Sequence, residues 1–249
     1  MGLLNGKVAI ITGAARGIGL GIVEKFVAEG ARVSLNGRNV EMLENLAKNI
    51  NEKGGDAFIV PGDVGDPNVP EQVVNKTIEH FGKLDIVVSN AGIIDRAPTL
   101  EMTLENWHRI IDVNLTGSML LATSALRYFK EQKSGKIIFI SSIGAKTINK
   151  NASPAYGCSK AAMTYLMRHL AWEFGPYGVT VNSVLPGYIQ SDMSSGQTPE
   201  RKKQLLGEIC LGKVGDPKDI GNGVLFFASE LGDYCTGECL DVNGGLQMD

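Results

Sequence analysis

Residues 154–164 read Pro-Ala-Tyr-Gly-Cys-Ser-Lys-Ala-Ala-Met-Thr, and the segment continues apolar and helical in pattern to Phe174. Four residues apart, Tyr156 and Lys160 stand one above the other on one helix face, a phenol and an amine that both exchange protons. Alone, the pair reads more simply as a surface tyrosine beside a solvated lysine. Its meaning rests on the rest of the chain.

A second constellation concerns phosphate. Thr12-Gly13-Ala14-Ala15-Arg16-Gly17-Ile18-Gly19 closes the first strand-like run, and a helical pattern follows at once. Gly13, Gly17 and Gly19 allow a tight turn and bring backbone N–H groups toward a pyrophosphate at a helix N-terminus. A glycine loop elsewhere is an ordinary turn; at the first strand-to-helix junction it indicates a nucleotide. The second strand runs through Ser34-Leu35-Asn36-Gly37-Arg38-Asn39, without the acid that grips a ribose 2′-hydroxyl. Asn36 and Arg38 stand there instead, with Arg16 in the glycine loop. Two guanidiniums suit a 2′-phosphate, which a carboxylate would repel, so NADP(H) is favoured over NAD(H). Asp63, followed by Val64 just past the third strand, either accepts from the adenine amino group or caps the strand end. Asn90-Ala91-Gly92, after the fourth strand, either leaves room for the cofactor or forms a plain turn.

These groups must be carried by strands that end on one side of a sheet. Apolar, β-branched runs recur at Val8–Ile11, Arg32–Leu35, Ala57–Val60, Ile86–Val88, Ile137–Ile140, Val179–Leu185 and Glu238–Val242. Helix-length segments alternate with them: Ile18–Glu29, Glu41–Lys53, Pro70–Phe81, Leu104–Lys130, Ala155–Phe174 and Pro217–Leu231. Strands apolar on both faces and alternating with helices predict a doubly wound parallel sheet in one domain spanning residues 1–249. Ser191–Pro199 reads as a long irregular stretch, an active-site lid or a surface insertion, followed by a polar helix to Ile209. Asn114 falls inside the long Leu104–Lys130 helix, where asparagine is a poor residue and needs a reason, such as a bond to a neighbouring strand.

Composition narrows the class. The 249 residues are 43% hydrophobic, enough for a large buried core, and the net charge of −3 comes from interspersed charges of both signs. No basic stripe suggests nucleic acid. The four cysteines lack a disulfide framework or zinc spacing and read as buried, reduced thiols; no metal site is expected. The N-terminus leads directly into a strand without a leader pattern or a membrane-length apolar run, so a soluble cytoplasmic protein is expected.

Taken together, Gly13/Gly17/Gly19, Asn90-Ala91-Gly92, Asn114, Ser142, Tyr156-x-x-x-Lys160, Pro186-Gly187 and the terminal Val242-Asn243-Gly244-Gly245 resemble the short-chain dehydrogenase/reductase family across essentially the whole chain. The resemblance implies a Rossmann-type, three-layer α/β/α fold with a seven-stranded parallel sheet, a nicotinamide cofactor, and a homotetramer or homodimer. It implies an enzyme acting on CH–OH donors by hydride transfer between a ketone and a secondary alcohol. Tyr156 would be the general acid in reduction and the base in oxidation. Lys160 would lower the phenol's pKa and hold the nicotinamide ribose. Ser142 would hold the substrate oxygen, and Asn114 a water that links Lys160 to solvent. Pro186, Gly187, Ile189 and Ser191 would line the nicotinamide end. Ser142 lies 14 residues before Tyr156, one more than in many members, which makes Ser141 a minor competitor.

In this family the substrate is lined by the segments after Gly92, after Ser142 and after Gly187. Here they offer Ile94 and Arg96, Lys146 and Ile148, and Tyr188 with Met193, a mixture of hydrophobic walls and charges. Asp95-Arg96-Ala97-Pro98, with Trp107 and the Asn114 segment, is similar to gluconate 5-dehydrogenases and related sugar-acid dehydrogenases. The C-terminal third is similar to 3-oxoacyl-carrier-protein reductases. A small-molecule carbonyl or alcohol is therefore the expected partner, and hydroxysteroids remain open. A catalytically silent NADP-binding scaffold is the rival from another class, but it would have no reason to keep Ser142, Tyr156 and Lys160 together.

Overall fold

The structure is a computed structural model describing residues 2–190, 204 and 206–248. Seven strands form its sheet: β1 (Val8–Thr12), β2 (Arg32–Gly37), β3 (Ala57–Pro61), β4 (Ile86–Ser89), β5 (Gly135–Ile140), β6 (Val179–Pro186) and β7 (Cys239–Val242). All neighbours are parallel, in the order β3-β2-β1-β4-β5-β6-β7. The order reverses between β1 and β4, and the carboxyl ends of strands at such a switch point form a crevice for ligands.

The alternation of side chains along each strand sends them into two cores. Ala9 and Ile11 of β1 pack with Ile22 and Phe26 of α1 (Gly17–Ala28), Leu43 of α2 (Val40–Glu52) and Val224 of α7 (Pro217–Ala228). Val8 and Ile10 face the other way, toward Val73 of α3 (Val69–Phe81), Leu121 and Phe129 of α5 (Gly117–Gln132), and Met163 and Met167 of α6 (Pro154–Phe174). This is the doubly wound, three-layer α/β/α fold expected from strands apolar on both faces.

The helical pattern over 104–130 is not one helix. α4 (Leu104–Ile111) is followed by a π turn at Asp112–Thr116 before α5 begins. Gly117 makes the junction possible: a Cβ there would stand 2.3 Å from the Val64 carbonyl oxygen. The wide turn contains Asn114, which is fully buried, and such turns recur at functional sites. α7 also stops earlier than the apolar pattern, at Ala228, and a 3₁₀ turn at Glu230–Gly232 follows. The expected irregular stretch at 191–199 lies outside the described residues.

The four cysteines correct the expectation of buried thiols. All are free, but Cys158 and Cys210 are exposed and Cys235 and Cys239 are half-buried. Their spacing said nothing about which helix or strand face each would occupy. Among the described residues, no helix is long and apolar enough to cross a membrane.

Candidate active site

A cleft of about 680 Å³ opens at the carboxyl ends of β1, β2, β4 and β5. Its floor is the glycine loop. Gly13 takes a left-handed φ of +64°, which favours glycine, and a Cβ on Gly19 would lie 2.0 Å from the Gly13 carbonyl oxygen. Arg16 and Ile18 belong to the same wall. Asn90 fixes this loop to β4: its Nδ2 donates to the carbonyls of Thr12 (2.8 Å) and Gly13 (3.3 Å). Thr12 Oγ1 in turn accepts from the backbone N–H groups of Asn90 and Ala91, both at 3.0 Å. The stretch Asn90-Ala91-Gly92 thus braces the turn as well as lining the cleft.

Farther along, Asn36, Arg38, Asp63 and Val64 line the same space. Asn36 Nδ2 donates to the carbonyls of Val60 (2.9 Å) and Gly62 (3.3 Å), while its buried Oδ1 has no protein partner. Asp63 carries more than a strand-end role. Its Oδ1 accepts from Gly65 N–H (3.0 Å), and its Oδ2 is ion-paired with Arg109 and lies 3.9 Å from Arg38 Nη1. Burial would raise the Asp63 pKa, but the Gly65 N–H and the two guanidiniums outweigh it and hold the carboxyl below its ordinary value. Arg109 lines the cleft as well. No motif signals it, because it meets Asp63 only through the fold, 46 residues away.

At the other end, the structure gathers the proton-exchanging residues. Ser142, directly after β5, caps a 3₁₀ turn at Ile143–Ala145, its Oγ accepting from Gly144 N–H at 3.0 Å. Its hydroxyl also hydrogen-bonds the Tyr156 phenol. Ser141 points elsewhere and donates to the Lys160 carbonyl at 3.0 Å. Lys160 Nζ lies 5.9 Å from the centre of the Tyr156 ring and donates to the Ile140 carbonyl at 2.9 Å. Asn114 clamps Ile93: its Oδ1 accepts from Ile93 N–H (2.8 Å), and its Nδ2 donates to Ile93 O (2.9 Å) and Ser159 Oγ (3.1 Å). The mid-helix asparagine thus bonds the segment after a strand, and in doing so ties β4's exit to α6.

The electrostatics differ from the expected pattern in one respect. Desolvation raises the Tyr156 pKa, with the Ser142 hydrogen bond opposing it, where the resemblance implied a lowered phenol. Lys160 is itself buried, and desolvation lowers its pKa to about 8. Burial therefore dominates both members of the pair, and the phenol is protonated at neutral pH.

The remaining expected site residues are placed less centrally. Pro186 ends β6 and is buried; Gly187 N–H donates to Val242 O at 3.0 Å. Tyr188 and Ile189 line a separate pocket of about 310 Å³ with Asn243 and Gly244. Lys146 is drawn into a 2.6 Å ion pair with Asp241 of β7. Arg96 and Ile148 are exposed. Ile94, beside the cleft residue Ile93, is partly buried. Ser191 and Met193 lie outside the described residues.

A parallel sheet with this switch point, a glycine cradle and a serine–tyrosine–lysine cluster at its edge define a nucleotide-dependent oxidoreductase scaffold. The chain belongs to the short-chain dehydrogenase/reductase family, whose members bind a nicotinamide cofactor: a family model described as enoyl-(acyl carrier protein) reductase matches residues 13–247. Among curated relatives, an L-rhamnose-1-dehydrogenase of Scheffersomyces stipitis is 37% identical, with 98% of this chain and 97% of that protein covered. A 3-oxoacyl-[acyl-carrier-protein] reductase of Aquifex aeolicus is also 37% identical, covering 98% of both. A candidate gluconate dehydrogenase from Agrobacterium tumefaciens superposes with a TM-score of 0.95 at 27% identity over the full length of both chains. A short-chain dehydrogenase from Burkholderia cenocepacia, solved in complex with NADP, superposes with a TM-score of 0.91 at 29% identity, covering 98% of this chain and 99% of that one.

Proposed function

We propose that this single-domain protein, spanning residues 1–249, is an NADP(H)-dependent oxidoreductase interconverting a ketone and a secondary alcohol. The observation that carries the reading is the convergence of Ser142, Tyr156 and Lys160 beside the glycine-floored cleft. The cleft fits a dinucleotide, because a Cβ at Gly19 would fill the cradle and Asn36 Oδ1 is a buried acceptor without a protein partner. Gly13, Arg16, Gly17, Ile18 and Gly19 would hold the pyrophosphate, Arg16, Asn36 and Arg38 the 2′-phosphorylated ribose, and Asp63 with Val64 the adenine. Asn90, Ala91, Gly92 and Lys160 would line the nicotinamide half, with Pro186, Gly187, Ile189 and Ser191 at its far edge. When bound, the reduced nicotinamide supplies the hydride.

The chain's own residues supply the proton. Tyr156 gives its phenolic proton to the carbonyl oxygen, and its raised pKa keeps that proton available at neutral pH. Ser142, already bonded to the phenol, holds the same oxygen and offsets charge developing on it. Lys160 would hold the nicotinamide ribose; Asn114 keeps the segment after Gly92 in place beside it and would position a water relaying protons to Lys160. Ile94, Arg96, Ile148, Tyr188 and Met193 would form the substrate's surroundings, while Lys146 is held by Asp241.

A keto-sugar acid or another small carbonyl compound is the substrate class we favour, supported by the sugar-acting relative and the gluconate-dehydrogenase-like neighbour. The 3-oxoacyl-carrier-protein relative supports an acyl thioester as the second reading. The test is to incubate the protein with NADPH and 5-ketogluconate, an acetoacetyl thioester, a steroid ketone or an aryl ketone, following loss of the reduced cofactor. We expect the fastest turnover with the keto-sugar acid. Faster turnover of the thioester would establish the second reading, and no turnover on any ketone would leave a silent scaffold.

We also propose a cytoplasmic homodimer or homotetramer. The four free cysteines support a reducing compartment. On α6, Cys158, Ala161, Tyr165 and Trp172 form an outward stripe, with Tyr165 and Trp172 71% and 78% exposed, while the opposite face is buried on the sheet. Light scattering at micromolar concentration is expected to give a multiple of the chain mass; a monomeric mass would refute the assembly.

A further inference from the structure

We propose that Arg109 is a determinant of cofactor choice: by neutralising Asp63 it keeps Arg38 available to a 2′-phosphate. The inference deepens the NADP(H) reading above and rests on it. Three guanidiniums, those of Arg16, Arg38 and Arg109, share the cleft with one carboxylate, that of Asp63. That carboxylate is held in place by Gly65 N–H on Oδ1, and its Oδ2 lies between two cations. Arg109 is in direct contact with Oδ2, whereas Arg38 Nη1 stands off at 3.9 Å.

The geometry of α4 maintains this order of preference. Arg109 sits on α4 one helical turn before Val113, and both line the cleft. Gly65 leaves the space it occupies, since a Cβ there would lie 2.6 Å from Arg109 Nη1 and 2.9 Å from Val113 Cγ2. Removing Arg109's charge has two consequences for an incoming 2′-phosphate. Asp63 becomes an uncompensated anion facing another anion, and Arg38 loses its competitor and closes onto the carboxylate. Both penalise the 2′-phosphate specifically, because NADH presents a neutral hydroxyl at that place.

The experiment is equilibrium binding of NADPH and of NADH, read by cofactor fluorescence, to wild type, R109M, R109K and R109M/D63N. We expect R109M to weaken NADPH about tenfold or more while NADH changes about twofold or less, R109K to keep most of the preference, and D63N to restore it in the R109M background. Equal weakening of both cofactors in R109M, or an unchanged ratio, overturns the role of Arg109. A loss in R109K as large as in R109M overturns the electrostatic argument. A wild type that binds NADH as tightly as NADPH overturns the cofactor reading itself, and this inference with it.

Discussion

Tyr156→Phe is expected to lower kcat for ketone reduction by about 10²- to 10⁴-fold while leaving NADPH binding within about threefold of wild type. The substitution removes one oxygen and keeps the ring, so the packing of α6 against the sheet is retained. The deleted hydroxyl bonds Ser142, whose Oγ still accepts from Gly144 N–H after the change. The pH dependence carries a further signature. With the phenol's pKa raised by burial, the acid form persists through neutral pH. Reduction should therefore stay level through neutrality and fall only in alkaline solution, whereas alcohol oxidation, which needs the phenolate, should rise with pH. Steady-state rates in both directions, with cofactor binding measured in parallel, check this. A Tyr156→Phe variant that retains more than about a tenth of wild-type turnover would remove Tyr156 from the chemistry.

Lys160→Met is expected to abolish most turnover and to change how stability depends on pH. Folding brings the ammonium into a desolvated site beside the Ile140 carbonyl and lowers its pKa from 10.5 to about 8. Below about pH 8 both folded and unfolded chains bind this proton, and the full cost of burying the charge is present. Between about 8 and 10.5 the unfolded chain binds more protons than the folded one, so stability due to this group rises with pH. The methionine variant lacks that term. Wild type should thus gain on the variant as pH rises from about 7 to about 10, approaching about 3 kcal/mol for the whole shift. Urea denaturation of both proteins at several pH values measures the gap. A gap that stays constant across that range would mean that Lys160 is not desolvated in the fold. The absolute sign at neutral pH depends on a second effect, since the variant also leaves the Ile140 carbonyl without its donor.

Asn114 and Lys146 show the two ways in which reading residues along the chain and seeing them in space diverge. Asn114 stands out as an improbable residue inside a helical pattern, and its side chain meets the segment after β4 as that improbability suggests. The π turn that aims it there depends on Gly117 fitting against the Val64 carbonyl, a contact between distant segments. Lys146 follows Ser142 closely enough to suggest the substrate, yet β7 brings Asp241 to within 2.6 Å of it.

The amino-acid sequence by itself determined the strand and helix alternation, the glycine cradle, the lack of an acid at the end of β2, and the Tyr156–Lys160 pair. Each is a local pattern: hydrophobic periodicity, a turn that only glycine admits, or two side chains one helical turn apart. Only the tertiary structure decided what faces what across the crevice. Pairing of β1 with β4 brings Asn90 onto the glycine loop, and the packing of α4 sets Arg109 against Asp63. Burial decided the direction of both pKa shifts as well. Desolvation depends on the whole shell of atoms around a group, so it pushes Tyr156 up and Lys160 down where the family resemblance implied an ammonium lowering a phenol.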